Sequence, residues 1–376
     1  MKSIDLLNAF KRSGIDLVTG VPDSLQKEFC SLVSSEASMV KHVAATNEGS
    51  AIGLAIGHHM ATGSASLVYM QNSGLGNAFN PLISLAHSAI YKIPMILMIG
   101  WRGMPGRNDE PQHQTQGAAT VAMLNLLGIP YLTIMSETPI VSIEQFIATH
   151  LKNTTGPIAI LVTPDTFEAV VGLSLALDKS LMTREGAVST ILEKANERCI
   201  FVSTTGKLSR ELNEVREKQE IANRDFMTVG GMGHASAIAL GIAIQRPDTT
   251  VVCLDGDGAA LMHLGAMAMV GELKPLNFVH ILFNNGVHES VGGQPVASNL
   301  TTFTDIALSL KYKTSLTINT QQELDQFIAD IDKYEKPCFA EVRINTYSRE
   351  NLTRPKNTPA QNKKEFMKYI SRGDQG

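Results

Sequence analysis

The chain has 376 residues and a net charge of −4, and 44% of its residues are hydrophobic against 18% that are charged. This is the composition of an ordinary globular protein, and the length suggests two domains. A net negative charge argues against nucleic acid or an anionic membrane as partner. The longest apolar run, residues 94–101, is much shorter than the roughly 18 residues of a membrane span.

The N-terminus indicates a cytoplasmic protein, and the cysteines indicate neither a disulfide framework nor a zinc site. Ile4, Leu7 and Phe10 follow one another at helical spacing, but the segment lacks the apolar core and cleavage site of a signal peptide. The four cysteines form no C-x-x-C pair, and no histidine lies at zinc-ligand spacing from them. We therefore expect neither a disulfide framework nor a thiolate zinc site.

Helical and strand patterns alternate along the chain. After a first helix, the pattern predicts helices at 48–60 and 77–91 among strands at 17–21, 39–45, 65–70, 94–99, 131–135 and 158–162. It breaks at 165–182 and then predicts strands at 200–203, 250–254, 278–283, 315–318 and 338–344. Such alternation is typical of an α/β protein with parallel sheets covered on both faces.

We therefore predict two doubly wound parallel-sheet domains. They span residues 1–170 and 186–345, joined by a linker at 171–185 and followed by a polar C-terminal arm at 346–376 that ends in a short helix near 363–370. Residues 100–117 form a long loop that contains the only tryptophan. Loops of this length in compact domains are usually functional or disordered, and we favour function.

The second half contains a pattern typical of a magnesium–diphosphate site. One apolar strand ends in Asp255-Gly256-Asp257-Gly258, a helix of about 14 residues is expected next, and another apolar strand ends in Asn284-Asn285. Because parallel strands end at the same edge of a sheet, Asp257 and Asn285 should lie together there. Carboxylate and amide oxygens suit Mg²⁺, and glycines allow the backbone to approach a phosphate. The alternative is an ordinary turn with an Asx cap.

This paired motif resembles the magnesium–diphosphate motif of thiamine-diphosphate (ThDP) enzymes. The resemblance implies that Asp257 and Asn285 bind Mg²⁺ by their side chains and Val287 by its carbonyl, with Gly256 and Gly258 beside the diphosphate. It also implies two doubly wound domains of the ThDP-binding type. The site would then lie between the pyrimidine-side domain of one subunit and the diphosphate-side domain of another, in at least a homodimer. The chain is too short for the middle domain that is common in the family.

A second motif resembles the pyrimidine side of the same family. Glu48 starts a helix rich in small residues and matches the glutamate that activates the aminopyrimidine ring. The turn that contains Gly230 and Met232 matches the place of the residue that folds the cofactor into its reactive shape. The alternatives are a glutamate favoured by the helix dipole and an ordinary methionine in a glycine-rich turn.

Several stretches resemble the phosphonopyruvate decarboxylases within this family, among them GVPDS at 20–24, DEPQH at 109–113 and NNGVHESVGGQP at 284–295. The resemblance implies decarboxylation of the anionic 2-oxo acid 3-phosphonopyruvate to phosphonoacetaldehyde through the ThDP ylide, as a step of phosphonate biosynthesis. A sulfopyruvate decarboxylase, a ThDP carboligase and a non-catalytic ThDP-binding sensor or partner subunit remain alternatives. Gly206-Lys207 lacks the earlier glycine of a Walker motif, so we do not expect a nucleotide site there.

Proton transfer and anion binding need further side chains. Asp23, His113 and His288 are candidates for proton transfer, although Asp23 could be a turn residue and His113 a solvated one. The positively charged candidates for the phosphonate, each of which could instead be a surface charge, are Arg102, Arg107, Arg354 and Lys356.

Overall fold

The computed structural model describes residues 1–35, 38–153, 156–169, 177–219, 224–297, 301–349 and 351–372. The chain divides into two compact units, one made of Met1–Ser174 with His288–Val296 and the other of Leu175–Val287 with Ala297–Gly376. Part of the predicted linker, residues 170–176, lies outside the described residues. None of the described helices combines the length and the hydropathy that crossing a membrane requires.

A six-stranded parallel sheet forms the first unit, in the order β2-β1-β3-β4-β6-β5. All four central strands are almost entirely buried, as expected of a sheet with both faces covered. The strands are β1 Leu17–Gly20, β2 Lys41–Ala44, β3 Ser66–Gln71, β4 Met95–Gly100, β5 Tyr131–Ile134 and β6 Pro157–Val162.

Helices cover both faces of this sheet, with a separate apolar core on each face. One core contains Leu6, Phe10 and Phe29, and the other contains Ile52 and Leu124. The helices are α1 Ser3–Arg12, α2 Lys27–Val33, α3 Glu48–Thr62, α4 Leu75–Pro81, α5 Pro111–Leu126 and α6 Ile140–Asn153.

The second unit repeats this architecture in the strand order β13-β14-β10-β9-β7-β8. Its strands are β7 Cys199–Ser203, β8 Asp225–Met227, β9 Thr250–Gly256, β10 Phe278–Asn284, β13 Thr314–Ile318 and β14 Cys338–Arg343. Its helices are α7 Arg184–Lys194, α8 Lys207–Gln219, α9 Ala235–Ala243, α10 Asp257–Met262, α11 Ala266–Leu273, α12 Phe303–Ser309, α13 Gln321–Ala329 and α14 Pro359–Arg372. A separate ribbon pairs β11 Val287–His288 with β12 Gln294–Pro295.

Two doubly wound parallel sheets confirm the predicted fold class, but three predicted elements are wrong in detail. The single helix predicted after Gly258 is split into α10 and α11, because His263 leaves the helical conformation (φ −135°, ψ 50°). The helix predicted at 77–91 is instead α4, which includes Pro81, followed by a π-helical turn Leu82–Ala86. The predicted loop at 100–117 becomes helical at Pro111, so its second half belongs to α5.

Further differences have local causes. The strand predicted from residue 39 begins only at Lys41, because Met39 has a φ of 51° that a strand cannot contain. The short elements α2, β8, β11 and β12 have no clear periodicity in the sequence and were not predicted.

The C-terminal arm packs on the second unit. The Asn362 side chain accepts a hydrogen bond from the Met227 N–H group (3.1 Å) and donates one to the Asp225 carbonyl (2.9 Å). Phe366 is buried and its ring lies against that of Phe226. Helix α14 is therefore held along the edge strand β8, which covers backbone that would otherwise be an exposed sheet edge.

Candidate functional site

Asp23 lies at the carboxyl edge of the first sheet, where β1, β3 and β4 end. Its carboxylate is fully buried and accepts hydrogen bonds from Gln71 Nε2 (2.8 Å) and the Leu25 N–H group (3.2 Å). A side chain at Gly100 would place its Cβ 1.8 Å from Asp23 Oδ2, so the glycine is needed for this position. Burial raises the pKa of Asp23, against the opposing effects of the Gln71 hydrogen bond and the Arg102 charge. Asp23 does take part in the turn, through its hydrogen bond with Leu25, but it is also a buried acid, so a turn role alone does not describe it.

Arg102 follows β4 and is held by the loop that it starts. Its Nε and Nη2 atoms donate to the two oxygens of Asp109 (2.7 and 2.6 Å), and its Nη1 atom donates to Ser24 Oγ (2.9 Å). Burial opposes ionisation of Asp109, but the Arg102 hydrogen bonds and the N–H groups of Glu110 and Gly103 hold its pKa below the usual range. Arg102 is therefore a fixed charge near Asp23, whereas Arg107 is exposed on the following turn.

His113 lies in the first turn of α5 and is half-buried. Burial, with the nearby Arg102 charge, lowers its pKa, so the imidazole is neutral at pH 7. Within the described part of the chain, its Nδ1 atom is buried without a hydrogen-bond partner. Gly103 fits against α5 at this point, since a Cβ there would lie 1.8 Å from the His113 carbonyl oxygen. Asp23, Arg102 and His113 thus belong to one connected cluster.

Glu48 is the first residue of α3, which Asn47 caps by accepting a hydrogen bond from the Ser50 N–H group (2.8 Å). The Glu48 carboxyl group is buried, with 4% of the residue exposed, and accepts a hydrogen bond from Asn77 Nδ2 at Oε2 (2.8 Å). Burial raises its pKa, and the Asn77 hydrogen bond only partly opposes this.

Gly74 forms a wall of the space that Glu48 occupies. A Cβ at Gly74 would lie 2.4 Å from Glu48 Oε1 and 2.6 Å from its Cδ, although the Gly74 backbone (φ −70°, ψ −16°) would suit any residue. The turn after β3 therefore connects the two buried acids, because Gln71 contacts Asp23 and Gly74 contacts Glu48.

The second unit brings the predicted metal ligands into one loop system. Asp257 begins α10 directly after β9, and its Oδ2 atom accepts a hydrogen bond from the Gly286 N–H group (3.1 Å). Asn285 follows β10, and its Oδ1 atom accepts one from the Val287 N–H group (3.1 Å). Asp257, Asn285 and Val287 are therefore linked through the backbone that follows β10.

Buried polar residues behind this loop connect it to the sheet. Asp255 accepts a hydrogen bond from the Gly256 N–H group (2.9 Å) and lies 3.3 Å from His280 Nε2. Together with Cys253, these two side chains are the group of potential metal ligands found among the described residues, and all three are buried. Since His280 also lies 3.4 Å from the Tyr312 hydroxyl group, we interpret them as a hydrogen-bonded core under the loop.

The glycine-rich turn lies against this loop. Met232 stands between Gly231 and Gly233, which both have positive φ angles (65° and 89°), and it is half-buried. A Cβ at Gly233 would lie 2.9 Å from the Ala259 carbonyl oxygen of α10. The turn that contains Gly230 and Met232 is thereby fixed close to the start of α10.

The remaining predicted residues are His288, Arg354 and Lys356. His288 belongs to the segment His288–Val296, which the structure groups with the first unit, and burial lowers its pKa to about 4. Arg354 and Lys356 are exposed on the C-terminal arm, where Lys356 pairs with Glu217 of α8 (3.3 Å).

Residues that sequence reasoning missed hold the predicted ones in place. Gly74 and Asn77 surround Glu48, and Asp109 holds Arg102. Asp109 lies in the loop that the sequence marks as functional, whereas Gly74 and Asn77 belong to no pattern that identifies their role.

Both units match family models that describe domains of the same kind of enzyme. Residues 4–123 match the model of the N-terminal TPP binding domain of thiamine pyrophosphate enzymes, and residues 204–342 match that of the C-terminal TPP binding domain. The chain is 31% identical to a phosphonopyruvate decarboxylase of Streptomyces viridochromogenes, over 98% of this chain and 94% of the relative. A phosphonopyruvate decarboxylase of Streptomyces hygroscopicus is also 31% identical (98% and 93% covered), and a sulfopyruvate decarboxylase of Methanosarcina acetivorans is 29% identical, with 77% of each chain covered.

The residues present fit thiamine pyrophosphate, which is another name for ThDP, and its magnesium ion. Asp257, Asn285 and the Val287 carbonyl offer the hard oxygen donors that Mg²⁺ prefers, and they are already linked by hydrogen bonds. In the first unit, Glu48 is a buried carboxyl group in a space that a side chain at Gly74 would fill. Both parts of the donor set therefore suit the cofactor.

Glu48→Gln should stabilise the protein in a pH-dependent way in the absence of cofactor. Burial raises the folded-state pKa of Glu48 above 4.5, the usual value for a glutamate side chain. Below that value the carboxyl group is protonated in both states, so the variant and the wild type should unfold at the same temperature. As the pH rises through the interval between the two pKa values, the unfolded wild type releases its proton first and the wild type loses stability relative to the variant.

Thermal unfolding between pH 4 and pH 8 measures this difference. The exposed Glu272→Gln provides the control, and its unfolding temperature should follow that of the wild type throughout. A Glu48→Gln variant that is less stable than the wild type at pH 7 would contradict the burial argument.

Proposed function

Because the chain belongs to the family of thiamine pyrophosphate enzymes, we propose that it decarboxylates 3-phosphonopyruvate to phosphonoacetaldehyde and CO₂, with ThDP and Mg²⁺ as cofactors. The observation that carries the proposal is similarity over nearly the full length to phosphonopyruvate decarboxylases, in a chain that has both Glu48 and the Asp257–Asn285 pair. The reaction would be a step of phosphonate biosynthesis.

When bound, ThDP supplies the nucleophilic carbon and the electron sink on which the loss of CO₂ depends. Glu48 would hydrogen-bond a ring nitrogen of the pyrimidine. Burial raises the pKa of the Glu48 carboxyl group and so favours its protonated form, which suits a group that exchanges a proton with the ring. Asn77 fixes the Oε2 atom of Glu48 and so orients the carboxyl plane. Asp257, Asn285 and the Val287 carbonyl would hold Mg²⁺ against the diphosphate.

The Asp23 cluster would handle protons near the reacting carbon. Asp23 is a buried acid of raised pKa, and His113 is neutral with an unsatisfied ring nitrogen within the described residues. Burial favours the protonated form of Asp23, which would donate a proton, and the neutral imidazole of His113 would accept one. His288, which is neutral at pH 7 by its lowered pKa, has the same capacity to accept a proton.

Anion recognition would involve the loop after β4. The Arg102 guanidinium is already paired with Asp109 and Ser24. We therefore expect it to attract the anion through its positive potential rather than through a new bidentate contact with the phosphonate. Arg107 is exposed on the same loop and has no ion pair among the described residues, so binding a phosphonate there would not require breaking one.

A sulfopyruvate decarboxylase is the second candidate function. The observation that favours it is the 29% identity to the Methanosarcina acetivorans enzyme over 77% of the chain. Both substrates carry a tetrahedral oxyanion beside a 2-oxo acid, so the same fixed charges would attract either one.

The test is aldehyde formation from phosphonopyruvate, sulfopyruvate and pyruvate, each with ThDP and Mg²⁺. An alcohol dehydrogenase with NADH reports the product. We expect phosphonopyruvate to be turned over with a kcat/KM at least about tenfold above that of sulfopyruvate, a ratio that corresponds to about 1.4 kcal/mol in the transition state. Pyruvate should be slower still, since it lacks the second anion.

Preferred turnover of sulfopyruvate would transfer the assignment to the second candidate. Release of no aldehyde from any of the three, with bound ThDP demonstrated, would contradict both and favour a carboligase or a non-catalytic binding protein.

Gly74→Ala should lower kcat by about 100-fold with little change in ThDP affinity. The added methyl group must displace the Glu48 carboxyl group, and a misplacement of about 1 Å in a catalytic group costs roughly this factor. Gly76→Ala is the matched control, because a Cβ at Gly76 meets nothing within 4 Å. Steady-state kinetics and ThDP titration of both variants measure the effect, and equal kcat values for the two would show that Gly74 does not define the Glu48 position.

We also propose that the protein is a homo-oligomer, at least a dimer. Large apolar side chains are exposed on α3 and on the segment that follows α4, and clustered exposed apolar residues usually mark an interface. They are Leu54, Met60, Ile83, Leu85, Ile90 and Tyr91. Light scattering during size-exclusion chromatography should give at least twice the mass of one chain, whereas a single-chain mass at micromolar concentration would contradict the proposal.

A further inference from the structure

Glu341 is a buried carboxylate in the middle of the second sheet. It lies on β14, directly beside Leu282 of β10, and only 1% of the residue is exposed. A carboxylate at such a position is costly unless hydrogen bonds compensate for the loss of water. Two groups do so at Oε1, namely Asn284 Nδ2 (2.7 Å) and an Arg343 guanidinium nitrogen (2.9 Å).

The contact with Glu341 determines how the Asn284 amide is oriented. A carboxylate only accepts hydrogen bonds, so the NH₂ group of Asn284 must face Glu341. The carbonyl oxygen of the same amide then faces the opposite way, where it accepts a hydrogen bond from the Gly286 N–H group (3.1 Å). Glu341 therefore selects which end of Asn284 meets the backbone after β10.

The Gly286 N–H group connects this pair to the candidate metal ligands. It lies 3.1 Å from both Asn284 Oδ1 and Asp257 Oδ2. Gly286 has a φ of 72°, a conformation that lets the chain turn sharply between Asn285 and Val287. The direction of this N–H group thus determines where the Asn285 side chain and the Val287 carbonyl lie relative to Asp257.

We propose that Glu341 is a positioning residue for the magnesium site, acting through Asn284 and the Gly286 N–H group on Asp257 and Asn285. Glu341 itself binds neither metal nor cofactor. This inference rests on the proposed cofactor site but not on the identity of the substrate. Residues that orient metal ligands in this way typically change metal affinity by about 10- to 100-fold when they are replaced.

The proposal predicts a change in Mg²⁺ affinity that is separable from a loss of stability. In Glu341→Ala, the Asn284 amide is free to turn over, which would direct its NH₂ group at the Gly286 N–H group and break the contact. Glu341→Gln retains an acceptor oxygen for Asn284 and should therefore behave much more like the wild type.

The experiment uses the full chain at a fixed saturating ThDP concentration and titrates Mg²⁺ while the thermal unfolding midpoint is measured. Fitting the stabilisation to RT ln(1 + [Mg²⁺]/Kd) gives the half-saturating Mg²⁺ concentration, which reports metal affinity without any need for turnover. We expect this concentration to rise about 10- to 100-fold in Glu341→Ala. In Glu341→Gln it should rise less than about threefold, because the acceptor is retained.

Glu211→Ala is the matched control for lost stability. Glu211 is also a glutamate with 1% exposure that pairs with an arginine, Arg184, but it lies on α8. Its replacement should lower the unfolding temperature in the absence of Mg²⁺ while leaving the half-saturating Mg²⁺ concentration within about twofold of the wild-type value.

A Glu341→Ala variant with wild-type Mg²⁺ dependence would overturn the proposal. If that variant does not fold, Asn284→Ala provides the same test, because it removes the amide that transmits the effect and should raise the half-saturating concentration to a similar extent. An unchanged value for Asn284→Ala would equally overturn it.

If the substrate assignment is wrong, this titration still measures Mg²⁺ affinity, because Mg²⁺ and ThDP would still stabilise the wild type. A wild type that Mg²⁺ and ThDP do not stabilise would instead overturn the positioning role together with the cofactor site.

Discussion

The candidate metal loop depends on one backbone donor, the Gly286 N–H group, which is aimed at acceptors from two neighbouring strands. Asp257 follows β9 and Asn284 ends β10, and the two strands pair in parallel with Leu282 beside Asp255 and Phe283 beside Gly256. This register brings both acceptors to the same edge of the sheet. A shift of one residue would turn every side chain of β10 to the other face and remove the convergence.

The first unit has a different constraint at the corresponding edge, namely room for buried carboxyl groups. Asp23 lies against Gly100 and Glu48 lies against Gly74, at distances that exclude a Cβ in both cases. Burial raises both pKa values, so each acid lowers the stability of the fold at neutral pH relative to a neutral side chain. Catalytic groups with pKa values near the working pH require such positions, which connects the loss of stability to the proposed chemistry.

The sequence predicts the features that depend on the pattern of neighbouring residues. Most strands of both sheets are recognisable as apolar runs, and the Asp257–Asn285 pair is recognisable because both residues directly follow such runs. Contacts between residues distant in sequence leave no comparable signal. Asn77 reaches Glu48 across 29 positions and Glu341 reaches Asn284 across 57, and in each case the partner is one polar residue within an ordinary helix or strand.

Breaks within helices were missed for a related reason. The residues after Gly258 have a composition that suits one helix, but the chain leaves the helical conformation at His263, whose ring stacks on that of His234 beside the glycine-rich turn. The turn and α10 are in close contact here, since Gly233 leaves no room for a Cβ beside Ala259. Tertiary packing, which a helical period does not encode, therefore decides where α10 ends.

Two polar networks compensate for the flexibility that glycine gives the candidate metal loop. Gly256, Gly258 and Gly286 would permit the close approach to a phosphate that the proposed site requires, but glycine has more conformational freedom to lose than any other residue. The N–H group of Gly256 is held by Asp255, which lies beside His280, and that of Gly286 is held by Asn284, which binds Glu341. All four supporting side chains lie on buried strands β9, β10 and β14. Metal ligands must keep their positions within about 0.5 Å to be effective, and rigid strands can impose that precision on a loop whose own sequence cannot.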